Sequence, residues 1–169
     1  ISVSLNKKKE VLHHGKLATF FIGNMDKSKF NKKLTMFTDD CQSIGLDVRY
    51  TEGIDEKLWD KFIFLSAYSG LTTLTELTIG QIFSNKRYKK MFLDAMQETF
   101  ELSKYFNVDF KKNPVETWSE KIKKMPYDMT SSMYIDFKNN RKLELNWLSG
   151  FVVESSKNLG INSETHNKI

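Results

Sequence analysis

The sequence predicts a mainly α protein led in by a short β-rich segment. Three observations carry this. Apolar residues recur at helical spacing from residue 55 onward, whereas Ile1–Leu5 alternates apolar and polar as a half-buried strand does and is followed by two short apolar runs, Val11-Leu12 and Leu17–Ile22. The chain has only two prolines, Pro114 and Pro126, and helix interiors tolerate few. Thirteen Phe, six Tyr and three Trp in 169 residues supply enough bulky apolar surface for a real core and argue against disorder.

Ile1–Leu5, Val11-Leu12 and Leu17–Ile22 read as three strands, with His13-His14-Gly15-Lys16 as the turn between the last two. Paired histidines suggest a metal, but neighbours on a strand face opposite ways and no third ligand has suitable spacing, so no metal is expected. Asp26 or Ser28 can cap a helix carrying Phe30, Leu34, Phe37, Cys41 and Ile44, stopped at Gly45. Asp47–Tyr50 is a fourth strand. Residues 1–50 therefore read as the tail of an α/β unit, and residues 51–169 as a helical domain.

In that domain Asp55 caps a run with Leu58, Trp59, Phe62 and Ile63, and Leu71–Ile82 is a shorter, irregular helical stretch. Residues 86–105 make the longest predicted helix, and Pro114 suits the first turn of the next. The last part, residues 130–160, reads as two helical pieces joined by the turn Asn139-Asn140-Arg141. Ser132 and Asp136 lie four residues apart and share a face of the first piece. Glu144 opens the second piece, where the helix dipole favours a carboxylate.

The formal charge is +5, with 26 basic and 21 acidic residues. The lysine runs at 7–9, 32–33, 86–90 and 121–124 read as solvated faces; no basic–aromatic interleave points to nucleic acid. The single cysteine, Cys41, sits on an apolar stripe, which favours a core position and a reducing compartment. No run approaches 18 apolar residues, so no membrane span and a cytoplasmic location are expected. The first residue, Ile1, falls inside a strand pattern, which suggests a fragment.

Lys61 is the second residue of chemical interest. It precedes Phe62-Ile63-Phe64-Leu65, so part of its stem must lie on apolar surface. Such a lysine either snorkels to water or is held partly desolvated, where it is suited to proton transfer. Glu144 and Asp136 are the candidate carboxylates to orient it.

Glu56-Lys57-Leu58-Trp59-Asp60-Lys61-Phe62 resembles the E-x-L-W-x-K-hydrophobic signature of the ketopantoate reductase (2-dehydropantoate 2-reductase) family. Ser131-Ser132-Met133, Asp136, Arg141, Glu144, Trp147-Leu148 and Gly150 resemble its second signature. Val11–Ile22 resembles the segment that closes its nucleotide domain. The resemblance implies an all-helical C-terminal domain of the 6-phosphogluconate-dehydrogenase-like type, preceded by the last strands of a Rossmann domain. It implies an NADPH-dependent reductase of ketopantoate or a related 2-oxo acid, in pantothenate and coenzyme A biosynthesis, with NADPH bound mainly by a domain this chain lacks. The closest glycines are eight residues apart, so no G-x-G-x-x-G exists here, and the chain alone should be inactive.

By the same resemblance, Lys61 is the general acid, Ser132 with Ser131 binds the substrate carboxylate, Glu144 contacts the cofactor ribose or holds the lysine, and Asp136 braces the turn. Ser69 joins the substrate-binding residues. The family's substrate-binding asparagines four and eight residues after the lysine are Leu65 and Ser69 here, and a third is Ile79; the pocket is thereby more apolar and the 2-oxo acid open. The expected partners are a small 2-oxo acid and, compatibly, a second copy of the chain. The alternative is a catalytically impaired paralogue whose helical domain serves dimerisation or ligand binding.

Overall fold

The computed structural model describes residues 3–6, 8–13, 18–26 and 31–169. They are mainly helical, with four three-residue strands confined to the beginning. The chain separates into two compact units, Ile1–Lys57 and Leu58–Ile169.

In the first unit, β1 (Val3–Leu5) pairs antiparallel with β2 (Val11–His13). The Asn6 side-chain oxygen accepts the Lys8 and Glu10 N–H groups, both at 2.9 Å, and ties the turn. β3 (Phe20–Ile22) lies parallel to β4 (Val48–Tyr50), and α1 (Lys32–Ser43) makes the crossover that a parallel pair requires. The cap of α1 is Asn31, whose oxygen accepts the Lys33 N–H at 3.1 Å, not Asp26. Ser28, Phe30 and the expected turn from His14 to Lys16 lie outside the described residues. Cys41 is buried, and Gly45 ends the helix region with φ +84°. Gly23 follows β3 so closely against the chain that a Cβ would sit 2.3 Å from the Thr51 carbonyl oxygen.

The second unit is built on α2 (Ile54–Thr75), which at 22 residues outlasts α4 (Lys86–Tyr105, 20 residues) as the longest helix. Asp55 lies within its first turn rather than capping it. The irregular stretch expected over 71–82 resolves into the end of α2, a break at Glu76 with φ +54°, and α3 (Ile79–Ser84). Thr78 and Gln81 cap α3 reciprocally. Ile63, Phe64 and every residue from Ser66 to Thr72 are buried, so α2 is surrounded on several sides, as a central helix must be. Phe64 lies stacked between Tyr68 (5.0 Å) and Trp118 (4.2 Å), and Phe92 meets Phe83 edge-on at 5.1 Å.

Pro114 opens α5 (Pro114–Ile122), as its fixed φ favours, and Trp118 Nε1–H donates back to the Asp60 carbonyl at 3.0 Å. α6 (Ser132–Lys138), a 3₁₀ turn (Leu145–Trp147) and α7 (Ser149–Leu159) follow. Gly160 closes α7 in the left-handed region, φ +67°. A short α8 (Glu164–Lys168) had no clear periodic signal; Glu98 of α4 caps it by accepting the Thr165 and His166 N–H groups at 2.7 and 3.0 Å.

Polar groups cross this core in one line: Ser66 Oγ meets Thr99 Oγ1 at 3.0 Å, and Thr99 meets His166 Nε2 at 2.9 Å. His166 Nε2 also lies 3.0 Å from the Ala95 carbonyl, which fixes it as the N–H donor there. Among the described residues Nδ1 has no partner. Burial holds the imidazole below its ordinary 6.5, against smaller opposing effects of the Ala95 carbonyl and Glu98. The folded chain therefore takes up this proton later than the unfolded chain as pH falls. Stability should be level above 6.5 and fall as pH drops below it towards the depressed folded value. Thermal unfolding followed across that range should show this decline, and His166→Gln should flatten it.

Candidate functional site

The residues singled out in the second unit distribute along one line of α2 and two helix starts beside it. Lys61, Leu65, Ser69 and Thr72 follow each other at spacings of four, four and three, so they share a face of α2. Burial rises along that line: Lys61 is exposed, Leu65 half-buried, Ser69 and Thr72 buried.

At the deep end Thr72 Oγ1 lies 2.7 Å from Ser131 Oγ. Ser131 is the N-cap of α6, and its oxygen also accepts the Tyr134 N–H at 3.1 Å. Thr72 in turn donates to the Tyr68 carbonyl at 2.7 Å, so Ser131 supplies the proton between the two hydroxyls. The buried Ser131 hydroxyl is thus committed inside the protein. Ser132, the next residue, is exposed at the first position of α6 with no hydrogen bond among the described residues.

The start of α7 reaches α2 close by. A Cβ on Gly70 would stand 3.2 Å from Ser149 Oγ, and further along Phe151 meets Phe62 at 5.7 Å. A Cβ there would first meet Ile169, at 2.6 Å, so the glycine makes room chiefly for that side chain and secondarily for Ser149. α6 and α7 are therefore both anchored to α2 between Gly70 and Thr72, which keeps Ser69, Ser131 and the start of α7 in one neighbourhood.

Glu144 differs from its expected setting. It precedes a single 3₁₀ turn instead of opening an α-helix, because Leu148 (φ −104°, ψ −97°) interrupts the run before α7 begins. It is exposed, and its carboxylate makes no ion pair or hydrogen bond among the described residues, while its carbonyl accepts the Trp147 N–H at 2.9 Å. Asp136 pairs with Arg141 (3.3 Å), and its carbonyl accepts the Arg141 N–H at 2.9 Å, closing the turn over Asn140 (φ +53°). Neither carboxylate pairs with Lys61. Lys61 lies nine to eleven residues from the Gly70–Thr72 anchor, about 14–17 Å along the helix axis.

Among the described residues the chemistry available is thus an unpaired ammonium at the open end of the line, an unpaired hydroxyl at the start of α6, an unpaired carboxylate just before the 3₁₀ turn, and an apolar and hydroxyl lining along α2. Thr72 escaped notice in the sequence; its place on the Lys61–Leu65–Ser69 face was the available signal. Among the described residues no group of three His, Cys, Asp or Glu side chains could hold a metal. No described helix is long and apolar enough to cross a membrane.

Two adjacent serines therefore carry different loads. Ser131→Ala loses a helix cap and leaves Thr72 short of a partner, and should cost about 1–2 kcal/mol. Ser132→Ala should change stability by less than about 0.5 kcal/mol, as exposed substitutions do. Urea unfolding of the two variants checks the contrast.

Residues 53–169 match the family model described as Ketopantoate reductase PanE/ApbA C terminal. The oxidoreductase YkpB of Bacillus subtilis, itself uncharacterized, is 23% identical over 161 residues, 95% of this chain and 53% of that protein. The chain spans about half the length of the curated relatives it matches. Dimeric ketopantoate reductase from Staphylococcus aureus superposes with a TM-score of 0.80 at 19% identity, over 99% of this chain and 56% of that one. D-mandelate dehydrogenase in complex with NADH and anilino(oxo)acetate superposes with a TM-score of 0.79 at 16% identity, over 98% and 67%. The helical architecture, the ordered signatures around Lys61 and Ser132–Gly150, and the family match over 53–169 together place this chain in the C-terminal domain family of the ketopantoate reductases, a family of oxidoreductases.

Proposed function

We propose that this chain is the substrate-side part of an NADPH-dependent reductase that converts ketopantoate or a related 2-oxo acid to the 2-hydroxy acid. The observation that carries the reading is the single face of α2 that leads from the free ammonium of Lys61 to the anchored start of α6, where Ser132 stands unpaired. Residues 51–169 act as the substrate domain, and residues 1–50 as the end of a nucleotide-binding domain whose main part lies outside this chain.

A bound dihydronicotinamide supplies the hydride to the carbonyl carbon. Lys61 donates a proton to the carbonyl oxygen, and its positive charge offsets the negative charge that develops there. Ser132 donates its hydroxyl proton to the substrate carboxylate, with Ser131 holding the helix start beneath it. Ser69 adds a second hydroxyl on the α2 face. Glu144 accepts from the cofactor ribose hydroxyls or orients Lys61; an exposed carboxylate with no partner of its own fits both. Full-length copies pair as dimers, in keeping with the dimeric relative from Staphylococcus aureus.

Leu65, half-buried between Lys61 and Ser69, favours a 2-oxo acid with an apolar side chain over a hydroxylated one; Ile79, the third expected substitution, instead lines a groove beside α3, α4 and α5. The anilino-substituted oxoacetate bound by the D-mandelate dehydrogenase relative, with its phenyl ring, supports this narrower choice. The second reading, a paralogue with impaired catalysis that retains ligand binding, is favoured by the same substitutions and by Lys61 standing without a carboxylate partner.

Steady-state reduction by the full-length protein separates the readings. Lys61→Ala should lower kcat by about 10²–10⁴-fold with little change in NADPH affinity. Turnover retained by Lys61→Ala would remove the proton-donor role. Absence of turnover with every 2-oxo acid tried would favour the impaired paralogue.

A further inference from the structure

Two of the basic runs noted in the sequence, 86–90 and 121–124, meet at one groove that the candidate site does not use. The groove lies between α3, α4, α5 and the segment through Tyr127, and encloses about 530 Å³. That is within the usual range for a small-molecule pocket. Its floor is apolar: Ile79 and Ile122 are buried, and Phe83, Leu93 and Met125 half-buried. Its two serine hydroxyls make no demand on a ligand, because Ser84 Oγ donates to the Gly80 carbonyl at 2.8 Å and Ser119 Oγ to the Val115 carbonyl at 2.7 Å; the Tyr127 phenol is the third hydroxyl of the lining.

The wall is preformed. The Gly80 N–H donates to the Tyr127 carbonyl (3.0 Å) and the Ile79 N–H to the Met129 carbonyl (2.9 Å). The Tyr127 ring then lies directly on Gly80, where a Cβ would come within 2.1 Å of it. The glycine permits this close approach between ring and helix.

Lys89 and Lys123 stand on the rim from opposite helices. Lys123 pairs with Glu120, whose carboxyl is held below the usual carboxylate range by Lys123, with a smaller effect of Lys124. Lys89 meets no carboxylate among the described residues; its ammonium lies over the Phe83 ring at 5.9 Å. The rim therefore carries more positive than negative charge above a dry floor. An uncharged apolar molecule would leave that charge unanswered, and a small polar anion would leave the floor empty.

We propose that this groove is a binding site for a small amphipathic anion, whose apolar body lies along Ile79, Phe83, Leu93 and Ile122 and whose anionic head faces Lys89 and Lys123. Lysine answers an anion as a point charge, so a carboxylate and a phosphate monoester share this chemistry.

Calorimetric titration of the full-length protein with decanoate, decyl phosphate and decanol, each below its aggregation limit, tests the site. At least one anion should bind saturably and ten times or more tighter than decanol, and added salt should narrow the gap. Preference for one anion identifies the head group. The double variant Lys89→Ala/Lys123→Ala should weaken the anion at least tenfold and leave decanol unchanged. Ser119→Phe, which fills the groove, should weaken all three. Absence of saturable binding, equal binding of decanol, or an unaltered double variant overturns the proposal; unchanged urea midpoints for the lysine variants show that they fold.

Discussion

The buried hydroxyl pair of Thr72 and Ser131 is the constraint on which the site depends. A hydroxyl sealed in a core must find a partner or cost about 1–3 kcal/mol. Here each serves the other, and each is also bound to backbone: Thr72 to the Tyr68 carbonyl, Ser131 to the Tyr134 N–H. The pair therefore sets both where α6 starts and how it faces α2. Apolar packing alone would not do this, since it specifies burial without direction. Ser132 inherits its position from that bond.

A second anchor acts by absence of a side chain. Gly70 leaves room for Ile169, which an added Cβ would meet at 2.6 Å, and for Ser149 of α7, which it would meet at 3.2 Å, so the start of α7 lies at the same turn of α2. Between these two anchors α2 has no exposed surface, which explains why the sequence there is nearly continuous in small and apolar residues. α4, α5, α6 and α7 all meet this helix, and it is exposed only at Lys57, Leu58 and Lys61 near its start and Leu74 at its end.

Much of the fold was legible in local chemistry. Pro114 at a helix start, Gly160 at a helix end and the alternation over residues 1–5 each act within a few residues, so pattern reading reaches them. What failed was long-range. The run 71–82 was misread because α2 is buried on several sides and loses the amphipathic period that marks a surface helix. α8 is five residues long and is held by Glu98 from 67 and 68 residues away, a dependence that no local pattern carries. The interruption at Leu148 was equally hidden, since Glu144 and the stripe after it keep a helical spacing through a backbone that does not. In the site, the motifs pointed to Lys61, Ser132 and Glu144, while the division of labour between Ser131 and Ser132 became visible only with burial. Neither candidate carboxylate meets Lys61 among the described residues: Asp136 answers Arg141 in its own turn, and the Glu144 carboxylate stands unpaired ahead of the 3₁₀ turn.

The account rests on Lys61 and Ser132 serving one substrate despite standing on different elements. A crystal structure of the full-length protein with oxidised nicotinamide cofactor and a 2-hydroxy acid is the direct measurement. The account predicts Lys61 Nζ within hydrogen-bond distance of the substrate hydroxyl oxygen and Ser132 Oγ at its carboxylate. A bound hydroxy acid with Lys61 still directed into solvent would contradict it.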